Sequence, residues 1–335
     1  MKQRIEYIDL AKGICISLVV LLHVFGDLSG TFIKIMNLFR MPLYFVLSGL
    51  FFKTYDGLFT FLKKKTNKLL LPFIFTYFLI IVPTTIMLDM KSGMTISLRS
   101  VLWGTNGKFN LGIDGASWFL LCLFYINIIF YLIFLLTKRN VIGIIVISCV
   151  CGITGYGLSR FGIMLPLWFD SSLTAMPFFM IGYVLRNYSN ILYSKLTRRD
   201  FISFVFLLFL LLVLYCFNEM QSTGIIIYGN NDYDISIFSL YLGGIAGTYC
   251  ILILSKRLGH LPVLSYVGRY SIVVLLTHLL YLFLFRNILY QLGISQDSYW
   301  LNLLLFILII LLSIPTIKFC ITYLPYWFAQ KDLLR

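Results

Sequence analysis

Arg4-Ile-Glu-Tyr-Ile-Asp9-Leu-Ala-Lys12 runs without a break into Gly13-Ile-Cys-Ile-Ser-Leu-Val-Val-Leu-Leu-His23-Val-Phe-Gly-Asp27, and the reading of these residues decides the fold. A helix that spans a bilayer takes roughly 20 mostly apolar residues. This stretch supplies them and adds a polar seam. At about 100° per residue, the step from Lys12 to His23 returns to within about 20° of its starting direction and rises about 16 Å. Asp9 and Asp27 lie roughly 40° off that line, so four ionisable residues share one face. Ile14, Leu18, Val20, Leu21 and Val24 suit lipid or packed neighbours. Ionisable groups at membrane depth are costly and usually face a bundle interior or a wet cavity, which makes the seam a candidate site. The plainer alternative has Asp9 and Lys12 as interfacial anchors and His23 as a hydrogen-bonded structural histidine.

Composition extends that reading to the whole chain. Hydrophobic residues make up 60 % and charged residues 12 %, and the mean hydropathy is +0.93. Soluble domains have about 45–50 % apolar and about 25 % charged residues. The expected fold class is therefore an all-α polytopic integral membrane protein, a single domain over residues 1–335 with no room for a separate soluble catalytic domain. The net charge of +14 does not point to nucleic acid, because the basic residues sit in short clusters between apolar runs, where the positive-inside rule places them. The seven cysteines lie in or beside apolar runs without metal spacing, so neither a metal site nor a disulfide framework is expected. The first span starts like a signal peptide but lacks a small-residue cleavage site, and it is expected to be retained.

Hydropathy with Pro, Gly and charge punctuation predicts about ten spans, near 8–27, 38–54, 69–88, 117–137, 141–158, 171–186, 201–218, 236–254, 271–289 and 298–320. Lys63-Lys-Lys-Thr-Asn-Lys68, Lys138-Arg139, Arg198-Arg199 and Lys256-Arg257 all fall on one side of this map, which sets both termini in the cytoplasm.

Lys12 and His23, with ten residues between them, match the basic-residue-to-histidine motif that opens membrane acyltransferase family 3, and the chain resembles that family along most of its length. The resemblance continues in Phe39-Arg-Met-Pro-Leu-Tyr-Phe-Val-Leu-Ser48-Gly49, in the Lys65 and Lys68 pair before Pro72, and in Ser117-Trp118-Phe119-Leu120. Phe178-Phe-Met-Ile-Gly182-Tyr and Gly268-Arg-Tyr-Ser271 followed by His278 complete it. It implies transfer of an acetyl or other short acyl group from coenzyme A to a hydroxyl of a sugar or surface polysaccharide. The short form is similar to fucose-acetylase-like members without an appended soluble domain. The implied location is the inner (plasma) membrane.

Each candidate residue has a chemical rationale and a plainer alternative. Lys65 and Lys68 are expected on neighbouring positions of one helical turn. There the family usually carries two arginines thought to meet coenzyme A; lysine keeps the charge but loses the bidentate fork. Both lysines also fit an ordinary positive-inside cluster. Arg40, before Met41-Pro42, is expected at the outer start of the second span as an acceptor-binding or oxyanion-steadying group, or equally as a snorkelling arginine. Ser48-Gly49 reads as close helix packing. Trp118 is placed at a helix edge, facing carbohydrate or lying in the interfacial aromatic belt. The glycine-rich loop from Asp89 to Ala116 reads as a lid, and the segment from Asn218 to Asp234 resembles a sugar-facing surface by composition alone. His278 reads as a satisfied core histidine.

Acyl transfer requires a base, a bound thioester and oxyanion stabilisation. His23 is the group on the seam that titrates near neutrality, so it is the candidate general base, with Asp27 orienting its ring. Acetyl-CoA is the expected donor, held by Lys12, Lys65 and Lys68, and a sugar or polysaccharide would be the acceptor. A transporter or lipid-linked sugar flippase also needs a polar stripe, but it predicts paired broken helices or an internal repeat, and no repeat relates the two halves of the chain.

Overall fold

The computed structural model describes residues 5–26, 30–78, 116–187, 196–221 and 226–334. In chain order the helices are α1 (Glu6–Phe25), α2 (Thr31–Asn37), α3 (Arg40–Leu50), α4 (Leu58–Lys65), α5 (Leu71–Thr76), α6 (Trp118–Leu136) and α7 (Val141–Arg160). After them come α8 (Phe169–Asn187), α9 (Arg198–Gln221), α10 (Ile237–Leu258), α11 (Pro262–Arg269), α12 (Ser271–Gln291) and α13 (Tyr299–Tyr323). Two-residue strands β1 (Ile226–Ile227) and β2 (Asp232–Tyr233) pair between α9 and α10. The chain is an all-α polytopic membrane protein. It divides into two compact units, Met1–Tyr44 with Ser189–Ile226 and Asp234–Cys320, and Phe45–Tyr188 with Ile227–Tyr233 and Ile321–Arg335.

In the first unit α1 is the central helix, packed against α10, α11 and α12. Its approach to α11 is at backbone distance and depends on glycine from both sides. A Cβ on Gly13 would sit 1.9 Å from the Leu264 carbonyl oxygen, and one on Gly268 would sit 1.9 Å from the carbonyl oxygen of Asp9. Such small-residue contacts let helices associate where lipid competes equally well for apolar side chains. Gly259, at φ +70°, ends α10, and Pro262 opens α11 in its first turn. α9 lies on the outside, with Phe201, Phe206, Phe209 and Leu212 exposed, as a lipid-facing apolar helix should be.

In the second unit, Gly49 of α3 and Gly182 of α8 meet in the same way: a Cβ on either would be 1.9 Å from a carbonyl oxygen of the other helix, that of Phe179 or Val46. Ser48-Gly49 is thus a close-packing element, as the sequence suggested. Beside it Phe52 is edge-on to the rings of Phe61, Phe130, Phe134 and Phe179.

Eight helices among the described residues are long and apolar enough to cross a membrane. Of the other two expected spans, 69–88 lies half outside the described residues. The span expected at 171–186 is α8, whose buried Asp170, Ser171, Ser172 and Thr174 lower its hydropathy. The second span runs over Thr31–Leu50 rather than 38–54. The bonds Leu38 N–H to Ile35 O, Phe39 N–H to Met36 O and Leu43 N–H to Phe39 O carry the backbone from α2 into α3. Arg40 therefore lies in the middle of an apolar span, not at its outer start.

The segment before α10 is partly buried. Tyr228, Asn231 and Tyr233 are buried. Asn231, in a left-handed turn, accepts from the Thr174 hydroxyl at 2.8 Å and donates to Gly155 O at 2.9 Å. Asn231 thus serves the interior of the second unit, while Glu219 and Asp232 of the same segment are exposed.

Candidate active site

α1 is unbroken from Glu6 to Phe25, so Lys12 and His23 keep the common direction that their spacing implies. Lys12 and His23 are half-buried and Asp9 is buried. The Asp9 carboxylate lies 3.8 Å from Arg269 Nε at the end of α11, and the Lys12 carbonyl accepts from the Tyr44 hydroxyl at 3.1 Å. The opposite face of α1 lines an apolar groove of about 350 Å³ through Ile14, Leu18 and Leu21, with Leu264 and Ile310 across from them. The polar seam and the apolar groove are thus separated by the width of the helix.

His23 meets His278 of α12. The ring centroids are 5.3 Å apart, with planes inclined at 46°. His278 is 1 % exposed, and its Nδ1 lies 2.8 Å from the carbonyl oxygen of Val274. A carbonyl only accepts, so Nδ1 carries the proton, and Nε2 of the neutral ring is a bare acceptor. That Nε2 is buried and has no hydrogen-bond partner among the described residues. The sequence expectation of a satisfied core histidine therefore fails on one of its two nitrogens. An orphaned buried acceptor costs about 1–3 kcal/mol, and such a group asks for a partner, which His23 or a bound hydroxyl can supply. Arg40 lies within electrostatic reach of His23, and its carbonyl accepts from the Cys15 thiol.

A residue that the sequence reading passed over fixes the end of α1. Arg286, two turns beyond His278 on α12, donates from Nη2 to Val24 O at 2.7 Å and to Asn302 Oδ1 of α13 at 2.7 Å. Its Nη1 reaches Gln296 Oε1 at 3.1 Å. The guanidinium thus serves a terminal carbonyl of α1 next to the residue that carries the candidate base. The available signal was an arginine within Phe283-Leu-Phe-Arg286-Asn-Ile-Leu, more than an interfacial cation needs.

Lys65 and Lys68 belong to the second unit and do not converge. The five residues after α4, Thr66–Leu70, form a π-helical turn, which widens the spacing so that Lys64 and Lys68, not Lys65 and Lys68, take the same side. Lys64 and Lys68 lie 2.5 and 3.2 Å from the carboxylate of Asp332, and Lys68 also donates to Ala329 O at 2.6 Å. Lys65 turns away, with its ammonium 5.6 Å from the centre of the Phe61 ring. Burial, followed by the charge of Lys53, lowers its pKa to about 8.

The family model for the acyltransferase domain of acyltransferase family 3 matches residues 5–318. The chain belongs to this acyltransferase family. No curated protein and no solved structure matches it. As an acyltransferase of groups other than aminoacyl groups, the chain needs a proton acceptor and a cation near the reacting carbonyl. In the first unit His278 and Arg40 both lie close to His23. Trp118 of the acyltransferase is the first residue of α6, at the helix edge as expected. Its side chain is buried, with the indole Nε1 against Gly229. Asp27 and the loop 89–115 lie outside the described residues.

Proposed function

We propose that this acyltransferase moves an acetyl or other short acyl group from cytoplasmic acyl-CoA to a hydroxyl of a sugar, in a surface glycan or its lipid-linked precursor. It would act from the inner (plasma) membrane with both termini in the cytoplasm. The observation that carries the reading is the half-buried His23 on a polar helix seam, backed by the unpaired Nε2 of His278. In this reading His23 takes the acceptor's hydroxyl proton as the oxygen attacks the thioester carbonyl. A C–O bond forms, the C–S bond breaks, and the proton passes to the leaving thiolate of coenzyme A. The Nε2 of His278 accepts from the His23 N–H, which leaves the other His23 nitrogen free to act as the base. Arg40 steadies the oxyanion. Lys65 contributes charge to the donor, whereas Lys68 is engaged by Asp332 and Ala329.

The test is His23→Gln, which keeps size and hydrogen bonding but takes no proton. Surface glycan from a deletion strain complemented with parental or variant protein is compared by mass spectrometry for added acyl groups. The parental protein restores the modification. The variant lowers it by about 10²–10⁴-fold, the usual contribution of general-base catalysis, at unchanged membrane abundance. Near-parental acylation by His23→Gln removes His23 as the base, and glycan identical in parent and deletion strain removes the glycan acceptor.

A further inference from the structure

A second concave site lies in the other unit, at the ends of three helices. Lys53 and Tyr55, just after α3, face Phe134 of α6 and Tyr183 and Arg186 of α8 around a cavity of about 370 Å³. Two more cations lie near residues that line it. The Arg139 guanidinium sits over the Phe134 ring at 5.5 Å, and Lys65 is close enough to Lys53 for their charges to interact. No carboxylate among the described residues lines the cavity. Among the described residues none forms an ion pair with Lys53, Lys65 or Arg186, while Asp332 is taken up by Lys64 and Lys68.

Clustered cations repel one another, and several in a concave, half-buried site are strongly attracted to a polyanion. The positive-inside rule accounts for basic residues at helix ends, but not for their convergence on one cavity with aromatic walls. Tyr55 is exposed and Tyr183 half-buried, so flat apolar surface is available between the charges. Arg186 is held in place by its own donation to Phe52 O. Phosphate groups beside a planar base meet both requirements, with charge-assisted bonds to Lys and Arg and stacking on the aromatic rings.

We infer that this cavity binds the phosphorylated adenosine end of the acyl donor, with Lys53 and Arg186 on the phosphates and Tyr55 against the base. The inference rests on the acyl-CoA reading above and adds a subsite to it. Lys65 then serves the donor next to Lys53, while Lys68 holds the C-terminal segment through Asp332 and Ala329.

The test measures equilibrium binding to the full-length protein in nanodiscs with three probes: acetyl-CoA, adenosine 3′,5′-bisphosphate and acetyl-pantetheine, which lacks the nucleotide. The proteins are parental, Lys53→Gln, and Lys53→Gln with Arg186→Gln. Lys53 is exposed, so the single variant tests the site even if loss of the Arg186 bond harms folding. The expected result is a roughly tenfold loss of acetyl-CoA and bisphosphate affinity for each charge-assisted contact removed. The parental preference for acetyl-CoA over acetyl-pantetheine narrows by the same factor. If parental protein binds acetyl-CoA and Lys53→Gln binds it equally well, the subsite is overturned and the donor reading stands. If parental protein binds the bisphosphate no better than inorganic phosphate, the cavity is not a nucleotide site. Absence of acetyl-CoA binding by parental protein overturns the donor reading and the subsite together.

Discussion

The imidazoles of His23 and His278 lie 5.3 Å apart, centre to centre, on helices that the sequence separates by more than 200 residues. His278 spends its Nδ1 proton on its own helix at Val274 and turns an unpaired Nε2 into the interior. A neutral histidine has one donor and one acceptor nitrogen, so in the proposed mechanism an acceptor behind His23 would select the tautomer whose free nitrogen takes a proton.

His278→Leu should separate stability from turnover. It removes a buried acceptor that has no partner, and replacing such a group with an apolar one is close to neutral or stabilising. The thermal midpoint in detergent should hold or rise. Acyl transfer should fall at least tenfold with donor affinity unchanged, and the pH–rate profile should shift. A variant that unfolds early but retains turnover per folded molecule would show that His278 is only a packing residue.

Arg286 should matter through α1. Arg286→Met loses the bonds to Val24 O and Asn302, and the two carbonyl acceptors are left in a poorly hydrated setting. A loss of about 1–3 kcal/mol is expected, read as a lowered thermal midpoint and faster hydrogen exchange at the C-terminal turn of α1. Lys retains the charge but not the fork, so Arg286→Lys should recover only part of the loss. Exchange at Val24 to Gly26 that does not differ among the three proteins would free α1 from this residue.

Backbone contact between α1 and α11 makes a sharp contrast between glycines. Gly268→Ala would put a methyl group 1.9 Å from the Asp9 carbonyl oxygen, where only backbone movement relieves the clash. Overpacking typically costs 1–3 kcal/mol, and rigid surroundings raise that. Among the described residues, Gly157 in α7 has nothing within 4 Å of an added Cβ. Gly157→Ala should therefore be neutral or gain up to about 1 kcal/mol from helix propensity. Equal effects on folded yield would show that α1 and α11 do not touch.

The α1 seam was legible in the sequence because helical periodicity carries direction along one element, and α1 has no kink to disturb it. The membrane class was legible for the same local reason. The pairing of His23 with His278 was not, since no spacing rule links residues that meet only through the packing of α1 and α12. Arg40 was misplaced because Pro42 reads as a helix start, whereas α2 runs into α3 across Leu38 and Phe39. The split between Lys65 and Lys68 follows from a π-helical turn, which the run Thr66-Asn-Lys-Leu-Leu70 does not announce.

The environment of Lys65 brings its titration into the range of ordinary buffers. Burial is the larger cause and the Lys53 charge the smaller, and together they bring its pKa down from the ordinary 10.5 to about 8. The amine is then charged below about pH 8 and neutral above it. Competitive acetic-anhydride labelling read by mass spectrometry should give a midpoint near pH 8 for Lys65. Lys53→Gln should move that midpoint upward only part of the way, since burial remains. A bound polyanion favours the ammonium, so acetyl-CoA should raise the midpoint as well. By linkage, donor affinity should be greatest below pH 8 and weaken as pH rises through that value, as Lys65 loses its proton. A Lys65 midpoint at the ordinary lysine value, unaffected by Lys53→Gln, would mean that the side chain is solvated and that its charge is not held beside the cavity.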